Sequence, residues 1–403
     1  MARILVTGPL GHGHINPTLG IAKELVDRGH EVVYAAPEPF ESAISETGAK
    51  YVPLRSKWSE MGEEAGPQFH GRAFARASEL ALVETKHMTE QFDALRADGR
   101  FQRPDVIVHD GPVAWWGRVL GHDWEVPTVE TWPNFVSNRH WNMQKYIKVN
   151  PLDPVFLRFL WRLRGFLRSR GISGVARFMQ GDSAADRVVT VPRAFQPSGR
   201  TFEAGFTFVG PVLTDRAHQG TWEPSAAAMG RPILLISLGT GYHDRPDFFR
   251  MVTSSAAGRD WHVVMSIGDR VDPAVLEPVP TNVEIMPFVP QLAVLEHASA
   301  FVTHAGMGGT VEALNAGVPM VAVPQMAEQR ANADRIEELD LGVTLDPGNL
   351  NADAFWQAVD SVGHRAKFAA RSEWMQAEIQ QSGGAAAAAD AIEAAARRGS
   401  ARP

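Results

Sequence analysis

Short apolar runs recur along the chain, each followed by small or turn-forming residues and then by a longer stretch of helical periodicity. In the first half Arg3–Thr7, Glu31–Ala35, Asp105–His109, Pro127–Glu130, Arg187–Val191 and Thr207–Val209 read as strands. In the second half Pro232–Leu238, His262–Ile267, Val283–Met286, Ala300–Thr303 and Pro319–Val323 do the same. Between them the periodicity predicts helices over Pro17–Arg28, Ala73–Ala97, Pro112–Gly121, Asp247–Ala257 and Thr310–Asn315, with an Ala-rich helix after Gly384 to about Arg398. Asn16 suits the N-cap of the first helix, and Pro17 its first position. Strand, turn, helix and strand in repeated order predict an α/β chain of doubly wound sheets.

The rhythm breaks twice. Residues 211–230 are polar, rich in Pro and Gly and without period, and are expected to link a first domain (1–210) to a second (231–384), with 385–403 as a final helix. Within the first half, Trp132–Arg170 carries Trp132, Phe135, Trp141, Tyr146, Phe156, Phe159, Trp161 and Phe166 among Arg158, Arg162, Arg164 and Arg168. These rings suit a wall and lid for a flat or macrocyclic acceptor, with Trp132, Phe135, Trp141 and Phe159 as its named contacts. Two plainer readings compete: the rings are core, or Phe156–Arg168 is a basic amphipathic helix lying on a membrane surface. If the segment is core, an acceptor site is to be sought over Lys57–Phe74 instead.

Composition narrows the classes. With 403 residues there is room for two ordinary domains, and 44% hydrophobic against 21% charged residues is a globular balance. A net charge of -7 argues against a general nucleic-acid binder. The absence of cysteine removes disulfides, thiolate metal sites and a Cys nucleophile. The apolar run at the N-terminus is too short for a signal peptide, and no segment is long enough to span a bilayer, so a cytoplasmic enzyme with no stable membrane insertion is expected.

Candidate chemistry concentrates in Phe288–Gln329. The turn His304-Ala-Gly-Met-Gly-Gly309 joins a strand to a helix, and such a turn offers free N–H groups where the helix dipole is positive. His304 at the strand end can reach a phosphate oxygen. Glu312, expected on the first helical turn, can accept from a ribose. Phe288 can stack on a base, and Glu328 and Gln329 offer an acceptor and an amide to a polyol. A Gly-rich turn alone also serves packing, but this combination points to a nucleotide sugar. Ser237-Leu-Gly-Thr240 makes a second small-residue turn at a strand end. In the first half His14 and Asp110 both fall beyond carboxyl ends of strands, where open parallel sheets bind ligands. His14 at a helix N-terminus suits a general base, and Asp110 can fix its tautomer. A turn or capping histidine is the plain alternative. His12 and His14 lack a third ligand at metal spacing, so no metal is assigned.

The order Phe288-Val-Pro-Gln291, His304-Ala-Gly306, Gly308-Gly-Thr-Val-Glu312 and Glu328-Gln329 resembles the donor signature of family 1 glycosyltransferases, and within them the bacterial macrolide glycosyltransferase branch. The resemblance implies the GT-B fold, two Rossmann-like domains facing a cleft, with the last helix crossing back to the first domain. By the same likeness Phe288 stacks on the base with Val289 and Gln291 beside the nucleoside. His304, Gly308, Gly309 and Thr310 hold the pyrophosphate, and Gly306, Ser237 and Thr240 are further candidates for donor binding, the last two in a turn expected to face the cleft. Glu312 binds the ribose, and Glu328 and Gln329 hold the sugar. His14-Ile-Asn-Pro17 matches the family's base motif and Asp110 its partner. Plant members have Trp where this chain has Phe288 and Met307, and Asn-Ser in place of Gly308-Gly309, which leaves uridine and thymidine donors both open.

The implied activity is an inverting, metal-independent hexosyl transfer to a hydrophobic small molecule such as a macrolide, polyketide or phenol. UDP-glucose is the expected co-substrate and no resident cofactor is implied. A TDP-deoxysugar transferase is the alternative within the family. A nucleotide-sugar epimerase or a non-catalytic nucleotide-sugar binder are the alternatives outside it.

Overall fold

The computed structural model describes residues 1–58, 72–99, 101–181, 185–214, 220–226, 228–239 and 244–400. The chain forms two compact units, one from Met1–Thr214 with Ser382–Pro403 and the other from Asp215–Gln381.

The first unit is built on seven parallel strands: β1 (Arg3–Thr7), β2 (Glu31–Pro37), β3 (Lys50–Leu54), β4 (Val106–Asp110), β5 (Thr128–Trp132), β6 (Asp186–Val189) and β7 (Phe206–Phe208), in the order β3-β2-β1-β4-β5-β6-β7. Strand residues alternate between two cores, as the two-residue period of a strand requires. Ile4, Val6 and Val108 face α1 (His12–Asp27) and the C-terminal helix, whereas Leu5, Val33 and Ile107 face Phe92 and Trp116. Ala388, Ile392 and Ala395 of the C-terminal helix, Gly384–Ser400, are fully buried in the first of these cores. Its start is tied by the Gly384 N–H to the Val209 carbonyl at 2.9 Å. Arg28 also donates to Asp390 at 2.6 Å, and His30 meets Glu393 at 3.1 Å.

The helices of this unit continue, after α1, with α2 (Glu41–Glu46), α3 (Arg72–Ala97), α4 (Trp116–Asp123), α5 (Gln144–Ile147), α6 (Pro154–Ser169) and α7 (Val175–Gln180). Two differ from expectation. Helix α1 begins at His12, not Pro17, so Pro17 lies inside it. A proline there removes only the bond to the Gly13 carbonyl, in the second turn, and the preceding turn still closes through Ile15 N–H to the Gly11 carbonyl at 3.0 Å. Helix α4 starts at Trp116 because Pro112–Trp115 form a turn around the Asp110 carboxylate.

Two of the eight rings in the aromatic segment, Phe135 and Phe159, are core, which corrects that part of the acceptor-wall expectation. Helix α6 turns Phe159, Leu163 and Leu167, at four-residue spacing, into a cluster with Ala81, Trp115, Val119 and Phe178. Phe159 is fully buried there, 6.2 Å from Trp115 between ring centres. Phe135 is buried between Trp141 and Phe195, each 5.4 Å away. Neither ring presents a face to a ligand. Trp132 and Trp141 remain half-buried, and Trp161 is 76% exposed. Most of the Lys57–Phe74 segment lies outside the described residues.

The second unit has six parallel strands: β8 (Ile233–Ser237), β9 (His262–Ser266), β10 (Val283–Met286), β11 (Ala298–Thr303), β12 (Met320–Ala322) and β13 (Gly342–Thr344), in the order β10-β9-β8-β11-β12-β13. Helices α8 (Pro246–Ala256), α9 (Gln291–Leu295), α10 (Met307–Ala316), α11 (Ala327–Glu338), α12 (Ala352–His364) and α13 (Ala366–Gln380) complete it, and the C-terminal helix of the first unit is α14. In both sheets the strand order reverses once: between β1 and β4 in the first unit, and between β8 and β11 in the second. Those reversals open crevices at the carboxyl ends of the strands. Among the described residues no helix is long and apolar enough to cross a membrane.

Candidate active site

In the first unit the crevice is bordered by β1 and β4; the candidate base, His14, lies in the helix that follows β1, and its partner, Asp110, ends β4. Asp110 ends β4 and is 1% exposed. Its Oδ1 accepts from Val113 N–H at 2.8 Å and from Ala114 N–H at 3.4 Å. Its Oδ2 lies 2.6 Å from Nδ1 of His14, whose side chain is 25% exposed. With Oδ1 occupied by backbone N–H groups, Oδ2 faces the ring, so Nδ1 carries the proton and Nε2 is left basic. His14 is the third residue of α1 rather than part of the turn before it, because the helix starts at His12. His12 packs edge-on against Phe40, with ring centres 5.1 Å apart.

A buried ion pair stands behind this corner. Arg118 Nε donates to Glu130 Oε1 at 2.8 Å, and its two terminal nitrogens donate to the carbonyls of Phe178 and Gly111, each at 2.7 Å. Trp132 Nε1 donates to Glu130 Oε2 at 3.0 Å, and its indole covers Gly111. Burial opposes ionisation of Glu130, but the neighbouring positive groups, Arg118 foremost and Arg187 with it, together hold the carboxyl below the usual range. His109 is fully buried against Gly117, where a Cβ would lie 2.1 Å from its ring, and desolvation keeps it neutral. It is a packing residue, as expected for a strand end.

In the second unit β11 ends at Thr303 beside Ser237, the last residue of β8. Helix α10 begins at Met307 with Gly306 as N-cap, three residues earlier than expected. Gly308 and Gly309 therefore belong to its first turn, and with Met307 they present the N–H groups that precede the first ladder bond, Thr310 N–H to the Gly306 carbonyl at 3.0 Å. This is an anion-binding arrangement of the kind expected. Glu312 moves accordingly to the second turn, where it is buried and accepts from Gln291 Nε2 at 2.5 Å. Phe288 is 58% exposed, an unusual surface position for a large ring, with Val289 half-buried beside it.

His304 is held between two glycines. A Cβ on Gly239 would lie 2.5 Å from Cε1, and one on Gly306 would lie 2.3 Å from Nε2. Burial pushes the imidazole down to about 4, so the ring is neutral and carries one N–H. Among the described residues its Nδ1 has no hydrogen-bond partner, and neither has Thr310 Oγ1, although both atoms are buried. Gln329 Oε1 accepts from Gln325 N–H at 2.7 Å and Met326 N–H at 3.1 Å, so of the expected amide only the NH2 is left to donate to a sugar. Glu328 is half-buried next to it. Thr240 lies outside the described residues. The packing role of Gly239 was not foreseen. Its only trace in the sequence is the small residue in Ser237-Leu-Gly-Thr240.

Residues 250–394 match the family model described as Erythromycin biosynthesis protein CIII-like, C-terminal domain. The chain is 35% identical over 383 residues to the NDP-glycosyltransferase YjiC of Bacillus licheniformis, spanning 95% of each. It is 34% identical over 390 residues to demethyllactenocin mycarosyltransferase of Streptomyces fradiae, spanning 94% of this chain and 84% of that one. The solved structure of the glycotransferase of kitacinnamycin, 32% identical, superposes with a TM-score of 0.86 over 98% of this chain and 99% of its own. With likeness running the length of the chain and the nucleotide-sugar turn intact, this is a glycosyltransferase of family 1, with the GT-B fold, belonging to the macrolide glycosyltransferase branch.

Proposed function

We propose that the chain transfers a hexose, with inversion at the anomeric carbon, from a nucleotide diphosphate sugar to a hydroxyl of an apolar natural product. The observation that carries the mechanism is the 2.6 Å contact between His14 Nδ1 and Asp110 Oδ2. As the acceptor oxygen attacks C1, Nε2 of His14 takes the hydroxyl proton. The C1–O bond to the diphosphate breaks on the opposite side, and its electron pair leaves with the nucleotide. Asp110 stabilises the imidazolium that forms. The charge that builds on the leaving diphosphate is met by the N–H groups opening α10 and by neutral His304. Phe288 stacks on the base, Glu312 with Gln291 binds the ribose, and Glu328 with the Gln329 amide holds the sugar. Half-buried Trp132 and Trp141 contact the acceptor, with Phe135 packed against Trp141 behind them.

UDP-glucose is the proposed donor, since Glu328 offers a carboxylate to hydroxyls that a deoxysugar lacks. A TDP-deoxysugar is the second reading. It is favoured by the relative named as a mycarosyltransferase and by the commitment of Gln329 Oε1 to the chain's own backbone. A matrix of UDP- and TDP-sugars against macrolide, polyketide and phenolic acceptors, read by product mass, decides between them. NMR of the anomeric proton then tests inversion. A retained configuration rules out the direct displacement described here.

A further inference from the structure

We propose that Asn332 is a positioning residue for the diphosphate turn, a role that rests on the nucleotide-sugar reading of that turn. The turn contains a strained residue. Ala305 has φ +61°, the left-handed region that a residue with a Cβ avoids, and it is fully buried. Two side chains hold it there. Thr303 Oγ1 accepts the Ala305 N–H at 3.2 Å, and Asn332 Nδ2, reaching across from α11, donates to the Ala305 carbonyl at 2.8 Å. The Ala305 carbonyl and the Gly306 N–H belong to one rigid peptide plane, so fixing the first aims the second. Gly306 is in turn both the N-cap of α10 and one of the two glycines packed on His304. Asn332 thus sets the direction of the N–H groups and of the imidazole without reaching the ligand itself.

Packing alone does not account for the residue. Asn332 is fully buried, and its Oδ1 has no hydrogen-bond partner among the described residues. An unpaired buried oxygen is unfavourable, and an aliphatic side chain in the same place would avoid it. Among the described residues, the bond to Ala305 is the interaction of Asn332 that calls for an amide. Alanine rather than glycine at 305 leaves the turn fewer alternative conformations once the clamp is made.

The test is calorimetric titration of UDP, or TDP if that is what the wild-type chain binds, alongside the matching nucleoside and the melting temperature. Asn332→Ala is expected to weaken the diphosphate about tenfold, the order of the bias against the left-handed region, while the nucleoside alone binds as before. Adding Ala305→Gly in that background removes the bias and is expected to restore most of the diphosphate affinity. A merely structural Asn332 predicts the opposite: a lower melting temperature with diphosphate affinity unchanged, or diphosphate and nucleoside weakened alike, with no rescue by Ala305→Gly. Any of these overturns the proposal. If Asn332→Ala does not fold, Thr303→Val removes the other half of the clamp and must weaken the diphosphate selectively; wild-type affinity in that variant also overturns it. A wild-type chain that binds neither UDP nor TDP overturns the nucleotide-sugar reading itself, and the role of Asn332 with it.

Discussion

His14 Nδ1 and Asp110 Oδ2 stand 2.6 Å apart although 96 positions separate them in sequence. Because two backbone N–H groups hold Oδ1 of the carboxylate, the contact fixes which ring nitrogen is basic. His14→Ala is expected to lower turnover on an aliphatic alcohol by about 10²–10⁴-fold with donor binding retained, and Asp110→Asn by less. Steady-state kinetics beside a donor titration check this. Wild-type turnover in His14→Ala would show that the base is elsewhere.

Phe288, 58% exposed, has little packing to lose. Phe288→Ala is expected to weaken nucleotide binding about tenfold, in line with aromatic–base stacking, and to leave the melting temperature within about a degree. Equal loss of stability and affinity would assign the ring to the core instead.

Phe159 and Trp132 should separate packing from acceptor contact. Phe159→Ala opens a hole in a fully buried cluster and is expected to cost about 3–5 kcal/mol of stability. Trp132→Ala is expected to raise the acceptor KM while the donor KM stays put. Denaturant midpoints and a two-substrate kinetic matrix distinguish the two effects.

His304 sits near 4, below the ordinary histidine value, because burial disfavours its charged form. The unfolded chain therefore binds a proton at this residue that the folded chain does not, between about pH 6.5 and about pH 4. The contribution to stability is complete above that window and is lost as pH falls through it. His304→Gln should flatten this part of the stability–pH curve, measured by urea unfolding. An unchanged slope would mean that the wild-type imidazole is solvated.

Turnover is expected to persist in excess chelator. The leaving diphosphate is met by the first-turn N–H groups of α10 and by His304, an arrangement that needs no divalent cation. A rate lost to chelator and restored by magnesium or manganese contradicts this.

Inner strands such as β1, β4, β8 and β9 were legible in the sequence because burial on both faces gives each a run of at least three apolar residues. The two missed strands, β3 and β13, are edges. Lys50-Tyr-Val-Pro-Leu54 is partly exposed and carries Pro53, and Gly342–Thr344 has three residues, so neither shows an apolar run. Two helix starts were placed late for a local reason. Pro17 and Thr310 look like N-terminal residues, but α1 and α10 begin on glycine caps upstream. Residues that form the donor motif could be named because they are close in sequence. The roles of Asn332 and Gly239 could not, because each acts on a residue brought near only by the fold.

Helix α14 belongs to the first unit although 167 residues of the second precede it in the chain (215 to 381). During synthesis at about 5–20 residues per second, the second unit has its whole sequence available before the first does. Until α14 emerges, the surface formed by Ile4, Val6, Ile21 and Leu25 lacks its Ala388, Ile392 and Ala395 cover. The half of the enzyme translated first is thus the half that can mature last, and in the interval it exposes an apolar face of the sort chaperones engage. A chain stopped at Gln381 is expected to hold a complete second unit and an unfinished, aggregation-prone first one, which limited proteolysis of the truncated protein can show.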